Sequence, residues 1–317
     1  MIDFRYHLVS IVSIFLALAV GIALGAGPLK SQIGDTFTSE LTSLRADKAA
    51  LKDQLDTANA NAEKRDAFTT ATNRVLLAGR LSGVETVVVV LPGADNNLVE
   101  STSQSLTAAG AQVSGTVRVQ NQWTRTDDAR DRTALVAAHA KELGLQDTSA
   151  TLESVLAVAL QPAAQSPSVP EEAARSALKA VADKGYVKLE PAQMPSAQAV
   201  VVVAAPQNAS SVDASTAAAT TLAKLAAALD KAGRGTVVVS DVGVQATTGK
   251  QTSVVSVLRG TDSLDAGVTT IDDGSIPMGQ ASVVLGIIEQ MSGGSGRYGL
   301  GPDAKAVYPA VPGAAAG

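Results

Sequence analysis

Four short polar stretches follow apolar runs in this chain: Pro92-Gly93-Ala94-Asp95-Asn96, Pro206-Gln207-Asn208, Asp241-Val242-Gly243 and Asp272-Asp273-Gly274. In an open α/β sheet, ligands bind outside the carboxyl ends of the strands. Asp95, Asn96, Asn208, Asp241, Asp272 and Asp273 are therefore the candidate cleft residues. Their oxygens suit a hard divalent cation, and the same residue types are ordinary helix caps and turns. None of the four is a GxGxxG loop, and Gly249-Lys250-Gln251-Thr252 lacks the upstream glycine spacing of a P-loop.

Other chemistry is equally sparse. The chain has no cysteine, which removes disulfides, thiolate ligands and thiol nucleophiles together. Beyond the first residues the only histidine is His139, so a Ser-His-Asp arrangement would depend on it. Cu(I) prefers thiolate and thioether donors, with imidazole also usable. Here the methionines Met194, Met278 and Met291 stand far apart in sequence, with no CxxC, MxxM or histidine cluster. These residues predict no enzyme, no metal site and no cofactor. A net charge of −5 without a basic stripe excludes nucleic acid as a partner.

The elements that place these residues read as α/β. Glu85 to Leu91 is an uninterrupted β-branched run, as in a parallel strand buried on both faces. A helix from Leu98 to Ala109 and a strand from Val113 to Val119 complete a β-α-β unit. Further strands are expected at Ala199 to Ala204, Thr236 to Ser240 and Val268 to Ile271. Helices are expected at Ala214 to Lys231 and Met278 to Gln290. Such alternation predicts an open, Rossmann-like, mostly parallel sheet. It spans residues 84–291, with a helical insertion at 127–184 expected as a cap over the sheet, the two together making a cleft. Within the insertion, helices are expected at Asp127 to Leu143, Ser149 to Leu160 and Glu171 to Lys184, and Tyr186 to Leu189 reads as an edge strand. Residues 292–317 are rich in Gly, Pro and Ala, and little fixed structure is expected beyond Pro302.

Ahead of this domain, Leu8 to Ala26 contains no charged residue. At 1.5 Å of rise per residue it spans roughly 28 Å, about the thickness of a bilayer's hydrocarbon core. We expect a retained transmembrane helix at 8–26 behind a cytoplasmic head at 1–7, with the bulk of the chain in the cell envelope. A cleaved signal peptide is the competing reading, since Ala23 and Gly25 offer small residues before a cut. Gly21 and Gly25 make a GxxxG step that lets two helices approach. From 30 to 78 the chain turns polar, and Phe37, Leu41, Leu44, Leu51, Leu55, Ala58 and Ala62 repeat with alternating spacings of a heptad, Lys48 occupying one seam position. The expectation is a coiled-coil stalk, joining a homo-oligomer or a hetero-assembly with another membrane protein.

Asp3-Phe4-Arg5-Tyr6-His7, Val9-Ser10 and the run Phe15 to Gly25 resemble the N-terminal signature of the mycobacterial copper transport protein B family of actinobacteria. Weaker likenesses follow at Val87 to Gly93, Ala109-Gly110-Ala111, Tyr298-Gly299-Leu300 and Pro309. The resemblance implies an envelope protein, with copper export or an outer-membrane pore credited to some members. Corynebacterial relatives imply instead a place at the septum and control of wall hydrolases. Copper enters as a ligand through this resemblance alone, and a peptidoglycan hydrolase as a partner likewise. Two functional readings follow. The residues favour a non-catalytic envelope scaffold that binds protein partners, and the resemblance favours a component of copper homeostasis or efflux.

Overall fold

The computed structural model describes residues 4–26, 28–146, 149–233, 235–241, 247–248, 250–265 and 267–310, with the side chains of 26, 28–36, 247–248 and 265 outside that description. The chain divides into two compact units, residues 1–65 and 66–317.

The first unit is helical. Helix α1 (Phe4–Ala26) carries Arg5 and His7 in its first turn and is apolar around its circumference from Leu8 onward, as suits a helix in lipid. Its segment Phe4–Gly25 is long and apolar enough to cross a membrane. The Ser13 hydroxyl donates to the Val9 carbonyl at 2.8 Å, so that polar group is satisfied within the helix. A Cβ added at Gly21 or Gly25 would meet nothing within 4 Å. Helix α2 (Pro28–Leu76) follows, and its residues up to Arg65 belong to this unit.

The second unit begins with the end of α2 and continues through β1 (Glu85–Val90), α3 (Asn96–Ala108), β2 (Gln112–Val119), α4 (Ala129–His139), α5 (Leu152–Leu160), α6 (Glu171–Asp183) and β3 (Val187–Glu190). It goes on through β4 (Ala199–Val203), β5 (Gln207–Asn208), α7 (Val212–Ala232), β6 (Thr236–Val239), β7 (Thr247–Thr248) and β8 (Gln251–Thr252). Helices α8 (Val254–Gly260) and α9 (Asp262–Asp265), strand β9 (Thr269–Ile271), α10 (Pro277–Met291) and β10 (Arg297–Tyr298) complete it. Seven strands form one sheet in the order β10-β9-β6-β4-β1-β2-β3, and β5-β8-β7 form a small second sheet. Within the large sheet every pairing is parallel except β2 with β3.

The valine runs explain why the sheet is sandwiched. Val87 and Val89 of β1, Val200 and Val202 of β4 and Val238 of β6 point to one face, where they pack with residues of α5, α6, α7 and α8. Val88, Val90, Val201, Val203, Val237 and Val239 point to the other, against α3 and α10. Alternate residues of a strand face opposite sides, so a strand with valine at every position needs helices on both. On the first face Trp123 and Tyr186 are fully buried and meet edge to face, ring centroids 6.2 Å apart.

Two expectations change here. The insertion lies over the sheet as part of its packed covering layer rather than as a separate cap. Helix α5 is buried at every residue except Glu153 and Ser154, and together with α6 it forms part of the layer that covers the sheet. Its composition required this, because LESVLAVAL leaves almost no polar face to give to water. The glycine-rich end is also more ordered than its composition implied. Arg297–Tyr298 is an edge strand on β9, and Tyr298 bridges to Ala306 in turn.

Candidate functional site

Parallel strands β1, β4, β6 and β9 deliver the four polar stretches to one edge of the sheet. There the six candidate residues take up separate tasks. The Asp95 carboxylate accepts from the Asn97 amide at 2.7 Å and caps α3. Asn96 accepts from Arg118 Nη1 at 3.4 Å. Asn208 is exposed in β5 opposite Gln251. Asp241 is half-buried, and the Val242 and Gly243 of its loop lie outside the described residues, as does Gly249 of the turn before β8.

Asp272 faces inward rather than into a cleft. Its Oδ2 pairs with Arg259 Nη1 at 2.5 Å, the two side chains being 7% and 3% exposed. Oδ1 accepts from the Leu300 and Gly301 amides at 2.8 and 3.0 Å. Arg259 spends its other donors on Thr270 Oγ1 at 2.9 Å and on the Tyr298 carbonyl at 2.7 Å. A buried ion pair is tolerable only when such additional bonds satisfy both charges, and this one ties α8, β9 and the segment after β10 together. Gly299 has φ +126°, and a Cβ there would sit 2.0 Å from Asp272 Oδ1. At Gly301 it would sit 2.4 Å from Oδ2. Tyr298-Gly299-Leu300-Gly301 is thus the seat of a buried carboxylate.

Asp273 is fully buried, and neither of its oxygens has a hydrogen-bond partner among the described residues. Desolvation, reinforced by the neighbouring Asp272 charge, raises its pKa to about 6. The turn itself is packed shut: the Gly274 amide donates to the Ser240 carbonyl at 2.8 Å, and a Cβ on Gly274 would meet Leu98 at 3.0 Å. Gln207 Nε2 donates to the Pro92 and Ala205 carbonyls, both at 3.0 Å, and so joins two of the loops.

Soft donors are dispersed. Met194 is 4% exposed, and a Cβ added at Gly115 would come within 2.6 Å of its sulfur. Met278 and Met291 stand at opposite ends of α10, roughly 20 Å apart at the helical rise. Among the described residues, no group of three or more His, Cys, Asp or Glu side chains is placed to hold a metal ion. The larger hollows lie elsewhere. One of about 730 Å³ runs between α6 and the edge strand β3, lined by Leu178, Leu189 and Met194 with Arg175 and Lys179 at its rim. The sequence signal for it was the edge position of β3, whose outer side has no neighbouring strand in the sheet order.

Fold and site together define an α/β protein with a doubly wound sheet and an N-terminal apolar helix fit for membrane anchoring. The chain belongs to the family described as "Copper transport outer membrane protein, MctB", whose model matches residues 1–309. It is similar to the copper transporter MctB of Mycobacterium tuberculosis, 28% identical over 319 residues that cover 97% of this chain and 99% of the relative. The copper transporter MctB of Mycobacterium leprae is likewise 28% identical, over 331 residues and the same shares.

Proposed function

We propose that this chain is a non-catalytic, membrane-anchored envelope component of copper homeostasis. The observation that carries this reading is the family match, which runs through the apolar helix, α2 and the α/β unit without a break in coverage, from residue 1 to 309. The relatives' names describe transport of copper, and their alignment spans nearly the full length of both chains. In this reading α1 is a retained anchor and the α/β unit lies outside the cytoplasm.

Copper here is cargo, and the donors of this chain do not fit a tight Cu(I) centre of its own. Thioether and imidazole ligands must converge on one point, whereas Met194 is packed into the core and Met278 and Met291 lie a helix length apart. The contribution to copper handling is therefore architectural, through an assembly in which the chain positions other groups. Deleting the gene should raise cellular copper and lower growth in copper-supplemented medium, both restored by the full chain. Purified protein should retain no copper through a desalting column. Normal copper content combined with defective cell separation would reject this reading and establish the alternative, a scaffold for wall hydrolases at the septum.

A further inference from the structure

We infer that residues 37–62 of α2 form a parallel, in-register, two-stranded coiled coil with a second copy of this chain. The inference concerns the first unit alone and stands whether or not copper is the cargo. Its starting point is an unpartnered stripe. Phe37, Leu41, Leu44, Leu51 and Leu55 are between 49% and 65% exposed on a helix that runs without interruption, so their heptad phase is kept throughout. Leaving such a stripe in water forfeits the burial that stabilises most amphipathic helices.

Charge identifies the occupant. With Leu41, Lys48, Leu55 and Ala62 at a and Phe37, Leu44, Leu51 and Ala58 at d, the flanking g positions hold Glu40 and Asp47, and the e positions hold Arg45 and Lys52. In a parallel pair, each g side chain lies beside the e side chain of the following heptad on the neighbouring helix, and these contacts set partner and orientation. Glu40 of one copy then meets Arg45 of the other, and Asp47 meets Lys52. Both contacts are repeated by the twofold symmetry. In an antiparallel pair g faces g and e faces e, which would set acid against acid and base against base. The chain is complementary to itself in one orientation only. None of the four residues has an ion pair with another described side chain, so all are available to the second copy.

The seam also selects two strands. The a positions carry Leu41 and Leu55 rather than β-branched residues, so the selector is the lone polar residue at a, Lys48, which fixes register and oligomer state at some cost in stability. In the parallel dimer the Lys48 ammonium reaches out of the seam towards Asp47 of the other copy.

The absence of cysteine makes the test direct. Full-length protein in nanodiscs would carry Leu44→Cys, Leu55→Cys or, on the outward face, Ala46→Cys. Oxidation should link Leu44→Cys to itself and Leu55→Cys to itself, because identical seam positions face each other at disulfide distance only in a parallel, in-register pair. Ala46→Cys should stay monomeric on a denaturing gel. Failure of either seam position to self-link, or linkage only to other proteins in whole envelopes, overturns the proposal. Sedimentation in detergent should give the mass of two chains, and a larger assembly would overturn the two-stranded form. Glu40→Lys with Asp47→Lys should abolish the dimer, and adding Arg45→Glu with Lys52→Glu should restore it. Restoration shows that charge pairing, rather than lost helicity, was responsible, and failure to restore rejects the proposed pairing.

Discussion

Asp272 and Asp273 are neighbours with opposite fates. The first has Arg259 and two backbone amides to hold its charge, while the second is buried against that charge without a donor of its own among the described residues. An ordinary Asp titrates near 3.9, and Asp273 in the folded protein is raised to about 6. Between roughly pH 4 and pH 6 the folded state therefore keeps a proton that the unfolded state has released. Stability falls as pH rises through that window and stays lowered above it. At 1.36 kcal/mol per unit the loss is on the order of 2–3 kcal/mol. Asp273→Asn should raise the melting temperature at pH 7.5 and leave it nearly unchanged at pH 4, as followed by circular dichroism. A melting profile parallel to the parent's across that range would show that the carboxylate is not the source. Asp230, also raised to about 6 by burial, should leave a residual slope in the variant.

At the scale of elements, the helical insertion decides how the unit holds together. Helix α5 packs beside α7 and supplies Val155, Leu156 and Leu160 to the core, all fully buried. Leu156→Ala removes buried methylenes from a site walled by helix and sheet, so it should cost about 2–5 kcal/mol. The check is a lower urea midpoint with an unchanged slope. A loss below about 0.5 kcal/mol, the usual effect of a surface substitution, would return α5 to the role of a detachable cap. Gln161, just after α5, reinforces the contact by donating to the Leu229 carbonyl of α7 at 2.8 Å.

For the whole molecule the question is topology. A helix with the Ser13 hydroxyl satisfied internally and no charge from Leu8 to Ala26 suits a lipid environment. If α1 is retained with the α/β unit outside, protease added to intact spheroplasts should digest residues beyond the anchor, and sequencing of the undigested protein should begin ahead of Phe4-Arg5-Tyr6. A mature chain starting near Ala26 would mean cleavage, and a protected α/β unit would mean the reverse orientation.

Local chemistry was enough to determine a great deal. Valine at every position of a strand can only be buried on both faces, so the parallel sheet and its two helical layers were legible from residues 85–91, 199–204 and 236–240. An uncharged run and a heptad likewise declare themselves through neighbours one to four residues away. The cleft was not legible in the same way. Whether an acidic residue at a strand end faces solvent or the core depends on groups distant in sequence. Asp272 was claimed by Arg259 on α8 and by the backbone of Leu300 and Gly301, none of which marks it locally. The short strand at Arg297–Tyr298 was hidden for the same reason. The glycines that follow it, Gly299 and Gly301, read only as part of a glycine-rich tail, yet they are what lets the backbone close around a buried carboxylate. Local periodicity set the elements, and long-range electrostatics and packing decided which polar groups were left to face outward.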